Sequence, residues 1–273
     1  MNAPAAEDPP HQHPAPGQPA PGQPAQGQPV QGQPNQEQAL QDFAGKWRAR
    51  WPEWSVAEVF VPRAQRGVAV AWAALQQELT DAAWGGTDAL PGEAKLGWWM
   101  EELQGWRQGR RRHPLGLALQ RQDAPWAALA ASLPGLRDSR ERPGDRGEAF
   151  DGLLPLAQAC AAIDASLFDP VPGQLPETAV PAIQSSLLEA RLVLQGDAAV
   201  PLSVVARAMA RPGEGAAVEW SRELLAQWPE RFGATVPRRL WTALAHTRLQ
   251  RGDAARPLSP WTALLAAWRG ARN

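Results

Sequence analysis

Apolar residues recur at intervals of three and four along most of the chain after residue 39. In the span 62–83, the series Val61, Ala64, Val68, Trp72, Leu75 and Leu79 falls on one face of a helix with 3.6 residues per turn. Gly85-Gly86 ends that helix. A second helix starts near Pro91, a residue suited to a first helical turn, and carries Leu96, Trp99, Leu103 and Trp106 until "GRRRHP" closes it. The same pattern predicts shorter helices at 114–121 and 124–133. It predicts a longer one from about Glu148 to Leu167, with Phe150, Leu153, Leu154, Ala157, Cys160 and Ala161 inward. Further helices are expected near 177–195, 201–210, 215–228, 235–250 and 260–271, and "RDSRERPGDRGE" at 137–148 reads as an exposed loop. No stretch alternates apolar and polar residues between turn signals as a strand would. The predicted fold class is all-α, a single bundle of about eight to ten helices.

Residues 1–38 lack the pattern. From Pro14 the pentads "PAPGQ", "PAPGQ", "PAQGQ", "PVQGQ" and "PNQEQ" follow one another. Pro, Gln and Gly bury too little apolar area to offset the entropy of ordering. The chain is therefore divided into a disordered tail, 1–38, and an all-α domain, 39–273. His11 and His13 in the tail are a weak metal-site candidate, since no further ligands accompany them.

Composition removes several function classes. The net charge is −1, so no global basic field exists to hold nucleic acid or an anionic membrane. One cysteine, Cys160, excludes a disulfide framework and a cysteine-based zinc site. The first residues lack the basic and apolar regions of a secretory signal, and no run of about 18 apolar residues occurs. A soluble, cytoplasmic protein is expected. Fourteen Trp accompany no Tyr, which removes one possible general acid or base.

The candidate chemistry is acidic and basic clusters. In "ELTDAAWGGTD", Glu78 and Asp81 lie three apart and share a helix face, while Asp88 lies beyond the Gly-Gly break. Two such carboxylates are either hard-oxygen ligands for Mg²⁺ or a solvated helix end. Arg110, Arg111 and Arg112 can meet a diphosphate or lipid headgroup, or decorate a helix C-terminus. Asp164, on the inward face of "AAIDASLF", is either a hydrogen-bonded core group or part of a functional site. His113 reads as a turn residue and His246 as structural. The final helix places Trp261, Leu264, Leu265 and Trp268 on one face near Arg269 and Arg272, which suits docking on the bundle or peripheral contact with a membrane surface.

The stretch "AKLGWWMEELQGWRQGRRRHPLGLAL", 94–119, resembles the squalene/phytoene synthase family of head-to-head prenyl synthases. Leu96, Trp98-Trp99, Leu103, Gly109, His113-Pro114 and Ala118-Leu119 carry the likeness, and "ELTD" lies one helix earlier, where the family keeps its first aspartate-rich motif. The resemblance implies an isoprenoid-synthase bundle, two facing acidic clusters that hold Mg²⁺ against a prenyl diphosphate, and a lipid-chain tunnel that Trp98, Trp99 and Trp106 would line, whereas the stripe by itself reads most simply as core packing. This chain departs from the family pattern. The first motif lacks the family's denser aspartates, and no second cluster is recognisable; Glu219 and Glu223 form the helical acid pair after residue 165. The resulting expectation is a diverged synthase-like protein linked to isoprenoid diphosphate binding, with reduced or no synthase activity. An active prenyl transferase and a non-catalytic helical assembly protein are the alternatives.

Overall fold

The computed structural model describes residues 33–169, 176–210, 213, 215–252 and 255–272. Most of the repeat tail, 1–32, with His11 and His13, lies outside the described residues. The bundle is built from α1 (Gln33–Arg50), α2 (Trp54–Ala57), α3 (Arg66–Trp84), α4 (Leu90–Trp106), α5 (Gly116–Leu119), α6 (Trp126–Asp138), α7 (Arg146–Asp151), α8 (Leu154–Phe168), α9 (Ala179–Gln195), α10 (Leu202–Ala210), α11 (Ala216–Ala226), α12 (Val236–Gln250) and α13 (Pro260–Arg272). The all-α expectation holds, and among the described residues there is no strand. The first helix reaches back to Gln33, inside the stretch read as tail.

The stripe of α4 is core throughout: Leu96, Trp99, Leu103 and Trp106 are all buried. Helix α4 packs on α3 and α6, α6 on α8, and α8 on α9. Helix α9 sits centrally, touching α3, α7, α8, α11 and α12, and α12 carries α13 on its other side. The first turn of α4 approaches α3 so closely that a Cβ on Gly92 would stand 2.1 Å from the Ala82 carbonyl oxygen. Only glycine permits that seat.

Prolines account for most of the differences from the sequence reading. Pro62 is extended (ψ 134°), so the helix expected from 62 begins at Arg66, after two 3-10 turns at Glu58–Phe60 and Arg63–Gln65. The helix expected over 148–167 is broken into α7 and α8. Pro155 cannot continue a hydrogen-bond ladder but fits the first turn of a new helix, where it stands. The break leaves Leu154 exposed and Phe150 half-buried, while Leu153, Ala157, Cys160 and Ala161 are buried as expected. Conversely, α6 runs through Pro134 to Asp138. Leu133 and Leu136 are both buried there, and their burial outweighs one missing backbone bond.

The polar segment after α6 is tied down by arginines. Arg140 donates to the carbonyls of Ala83, Gly85 and Gly86, satisfying the C-terminal end of α3. Buried Arg191 of α9 donates to the carbonyl of Glu141 at 2.6 Å. Asp145 then caps α7, accepting from the Glu148 amide at 2.9 Å, while the Glu148 carboxylate accepts from the Gly144 amide.

Candidate functional site

Helices α1, α2, α3, α8, α9 and α12 enclose a half-open cleft of about 50 Å³. Its apolar wall is aromatic: Trp47 from α1, Trp51 just after it, Trp54 from α2, Trp72 from α3 and Trp241 from α12. Four of these rings pack on one another, with Trp51 edge-on to Trp241 at 5.0 Å and Trp47 edge-on to Trp54 at 5.4 Å. The polar lining is Gln76, Gln77 and Thr80 from α3, Asp164 from α8, Ser186 from α9 and Arg238 from α12.

The charged groups in this lining are committed to each other. Arg238 donates through Nε to Asp164 Oδ2 at 2.6 Å and through Nη2 to Oδ1 at 3.3 Å, both groups being buried. The same Nη2 donates to Gln76 Oε1 at 2.8 Å, and Trp72 Nε1 donates to Asp164 Oδ1 at 2.7 Å. Burial alone would lower the Arg238 pKa, but the adjacent Asp164 carboxylate holds it above its ordinary value. Gln77 accepts from Trp51 Nε1 at 2.9 Å and donates to Asp81. The cleft is therefore polar at one side, electrically neutral, and fully hydrogen-bonded around its single carboxylate. Nearby Cys160 is buried, and burial pushes its thiol up to about 12, so it is an inert packing group.

Of the candidate residues read from sequence, Asp164 lies on the cleft. Glu78 is held by Lys95 at 2.7 Å and Asp81 by Arg50 at 3.2 Å, and neither lines the cleft. Burial raises the Asp81 carboxyl, and Arg50 and Gln77 only partly offset it. Arg110 donates to Gln108, Arg111 to Gln120 at 3.4 Å, and Arg112 to Glu102 at 3.2 Å while stacking on Trp98 at 5.0 Å. These three arginines belong to the loop after α4 and none of them lines the cleft; Arg110 and Arg112 border a separate pocket with Glu101 and Glu102. Glu219 and Glu223 both meet Arg207 at the surface between α10 and α11. Trp99 and Trp106 are core, and the tryptophans that line the cleft are a different set from the one the resemblance suggested.

The Mg²⁺ clamp that the resemblance implies does not fit these donors. Among the described residues no group of three or more His, Cys, Asp or Glu stands together to hold a metal ion. The one cleft carboxylate already has a guanidinium 2.6 Å away, which repels a second cation. Its neighbours on α3 are amides and a hydroxyl, weaker ligands than carboxylates for a hard dication.

Two further buried carboxylate arrangements have no counterpart in the sequence reading. Glu102 accepts from the amides of Arg112 and His113, from Trp106 Nε1 and from Arg112 Nε. Burial pushes its carboxyl up, but these four bonds outweigh burial and hold it below the usual range. It staples the loop 107–115 to α4. Behind the tryptophan wall, Arg248 bridges Glu189 (2.7 Å) and Glu53 (2.9 Å), all three being buried, and its guanidinium lies 4.5 Å from the Trp51 ring and 5.4 Å from Trp241.

The chain superposes on a solved structure described as a dehydrosqualene synthase in complex with ligand. The TM-score is 0.65, covering 88% of this chain and 97% of that one, at 12% sequence identity. The two chains share a fold. No family model and no curated relative matches the sequence. The dehydrosqualene synthase fold thus agrees with the resemblance carried by residues 94–119, while at this identity it establishes architecture alone. Among the described residues no single helix is long and apolar enough to cross a membrane. The bent pair Ala179–Ala199 and Leu202–Ala210 passes on length and composition, but α9 forms the centre of the bundle and buries Glu189 and Arg191.

Proposed function

We propose that this protein is a diverged squalene/phytoene synthase-like binder that receives the end of one apolar, isoprenoid-type chain in its tryptophan-lined cleft and does not join two prenyl diphosphates. The observation that carries this reading is the neutral polar lining. Ionising an allylic diphosphate requires electrostatic stabilisation of the departing anion, which in metal-dependent enzymes comes from cations held by clustered carboxylates. Here the one carboxylate on the cleft is neutralised by Arg238, and Gln76, Gln77 and Thr80 stand beside it.

The size of the cleft supports the same reading. A single water needs roughly 10–15 Å³ by this measure. About 50 Å³ is then room for a few heavy atoms, on the scale of one isoprene unit and far below two long prenyl chains. The aromatic wall favours an apolar, unsaturated occupant over a diphosphate headgroup.

Binding should therefore depend on the chain and not on metal. Titration of the protein with farnesyl diphosphate and with farnesol, followed by quenching of tryptophan emission, should give dissociation constants within about threefold of each other. Adding Mg²⁺ should leave both unchanged. Tightening of the diphosphate alone by tenfold or more on adding Mg²⁺ would show that a metal clamp exists and refute the reading (tenfold being about 1.4 kcal/mol).

A further inference from the structure

Helix α13 is seated in the reverse of the usual amphipathic sense. Its inward face is built from Ala263, Ala266, Ala267 and Gly270, all buried, at the i, i+3, i+4, i+7 positions of one helix stripe. The contact is tight: a Cβ on Gly270 would stand 2.8 Å from the Arg239 carbonyl oxygen and 2.9 Å from the Ala243 Cβ. The large side chains point the other way. Trp261 is 81% exposed, Leu265 48% and Trp268 45%, at i, i+4 and i+7 on a single outer stripe. An isolated exposed apolar residue needs no explanation, but two tryptophans and a leucine aligned on one face form a patch.

The charge around the patch indicates what covers it. Helix α13 contains no acidic residue, and it carries Arg269 and Arg272 at the exposed end of the stripe. Arg272 lies over the Trp268 ring at 4.7 Å. Helix α13 also packs on the turn 58–60. That turn exposes Val59, and Arg66 grips it through the carbonyls of Val59 and Val61. Its one acid, Glu58, is neutralised by Arg48 at 3.2 Å. Tryptophan is the side chain that prefers the membrane–water interface, where the ring is in the apolar boundary and the N–H stays wet. Arginines beside it can extend their heads to anionic phosphates.

We infer that the outer face of α13 is a membrane-docking surface: Trp261, Leu265 and Trp268 enter the interface of an anionic bilayer while Arg269 and Arg272 meet its phosphates. This stands on α13 and the turn it packs on, and is independent of what the cleft binds. Because α13 is held to the bundle by its small-residue face, it can present the stripe without leaving the fold.

Flotation of the full chain with vesicles tests this. The protein should float with phosphatidylcholine–phosphatidylglycerol vesicles and much less with phosphatidylcholine alone. Trp261→Ser with Trp268→Ser should weaken binding to the anionic vesicles on the order of tenfold, and Arg269→Gln with Arg272→Gln by a similar factor. Both double variants should keep the helical circular dichroism of the parent, since every altered side chain is exposed. Should the tryptophan pair prove to be needed for folding, Leu265→Ser alone serves, with a smaller loss expected. The inference is overturned if the parent does not float with anionic vesicles, or if it floats equally well without the tryptophans. It is equally overturned if the parent ignores vesicles but forms a dimer that the tryptophan variant breaks, which would make the stripe an interface between copies.

Discussion

Arg248→Ala is expected to destabilise the fold by about 3–5 kcal/mol, the range for removing one partner of a buried ion pair. The guanidinium joins Glu189 of α9 to Glu53 before α2 and fills the space between Trp51 and Trp241. Without it, two buried carboxylates face each other across a void. The loss should depend on pH, and the direction follows from Glu189. Burial pushes its carboxyl above the ordinary value even with Arg248 lowering it. Removing Arg248 raises it further. A carboxyl whose folded pKa exceeds its unfolded value, about 4.3 for Glu, contributes stability that is fully present below the unfolded value and is lost as pH rises through the folded one. The difference between variant and parent should therefore be largest at neutral pH and shrink toward pH ~4.3. Urea midpoints of both proteins across that window measure it. A difference that stays constant with pH would assign the loss to packing against the tryptophans and not to charge.

Trp99→Ala should cost about 3–5 kcal/mol, the range for emptying a large buried aromatic site. Trp99 is fully buried in the middle of α4, against Trp98 at 5.1 Å and His113 at 4.5 Å between ring centroids. Its Nε1 has no hydrogen-bond partner, so the substitution removes packing without orphaning a polar group elsewhere. The cavity cannot readily collapse, because α4 is held on both sides by α3 and α6. Chemical denaturation gives the value directly. A loss below about 1 kcal/mol would contradict the placement of this face at the centre of the bundle.

The stripe Leu96, Trp99, Leu103, Trp106 shows why the fold was legible. A helix with one buried face repeats its apolar residues at the helical period, and α4 does so cleanly. Helix ends were less legible where a proline serves as a beginning or is tolerated inside, as Pro155 and Pro134 respectively do. The cleft was mostly illegible, for two reasons. Helix α3 is buried around most of its circumference: of the stripe Val68, Trp72, Leu75 and Leu79, Trp72 alone reaches the cleft, which α3 otherwise lines with the neighbouring Ala69, Ala73, Gln76, Gln77 and Thr80. Periodicity cannot choose between faces when most are inside. The polar Gln76, Gln77 and Thr80 on that apolar helix were the available signal. Second, the decisive partners are far apart in sequence: Asp164 meets Arg238 across 74 positions, and Glu53 meets Arg248 across 195. A single sequence holds no record of such pairing.

The proposed function requires a neutral cleft that cannot clamp a departing diphosphate. Incubation of the purified full chain with farnesyl diphosphate, or with geranylgeranyl diphosphate, and Mg²⁺ tests that claim most directly, with inorganic pyrophosphate and hydrocarbon product measured together. Neither pyrophosphate release nor a squalene- or phytoene-type product above the no-protein control is the result expected. Mg²⁺-dependent release of pyrophosphate that Asp164→Asn abolishes, while the variant keeps its helical circular dichroism, would contradict it and make this chain a working synthase with an unusual acidic set.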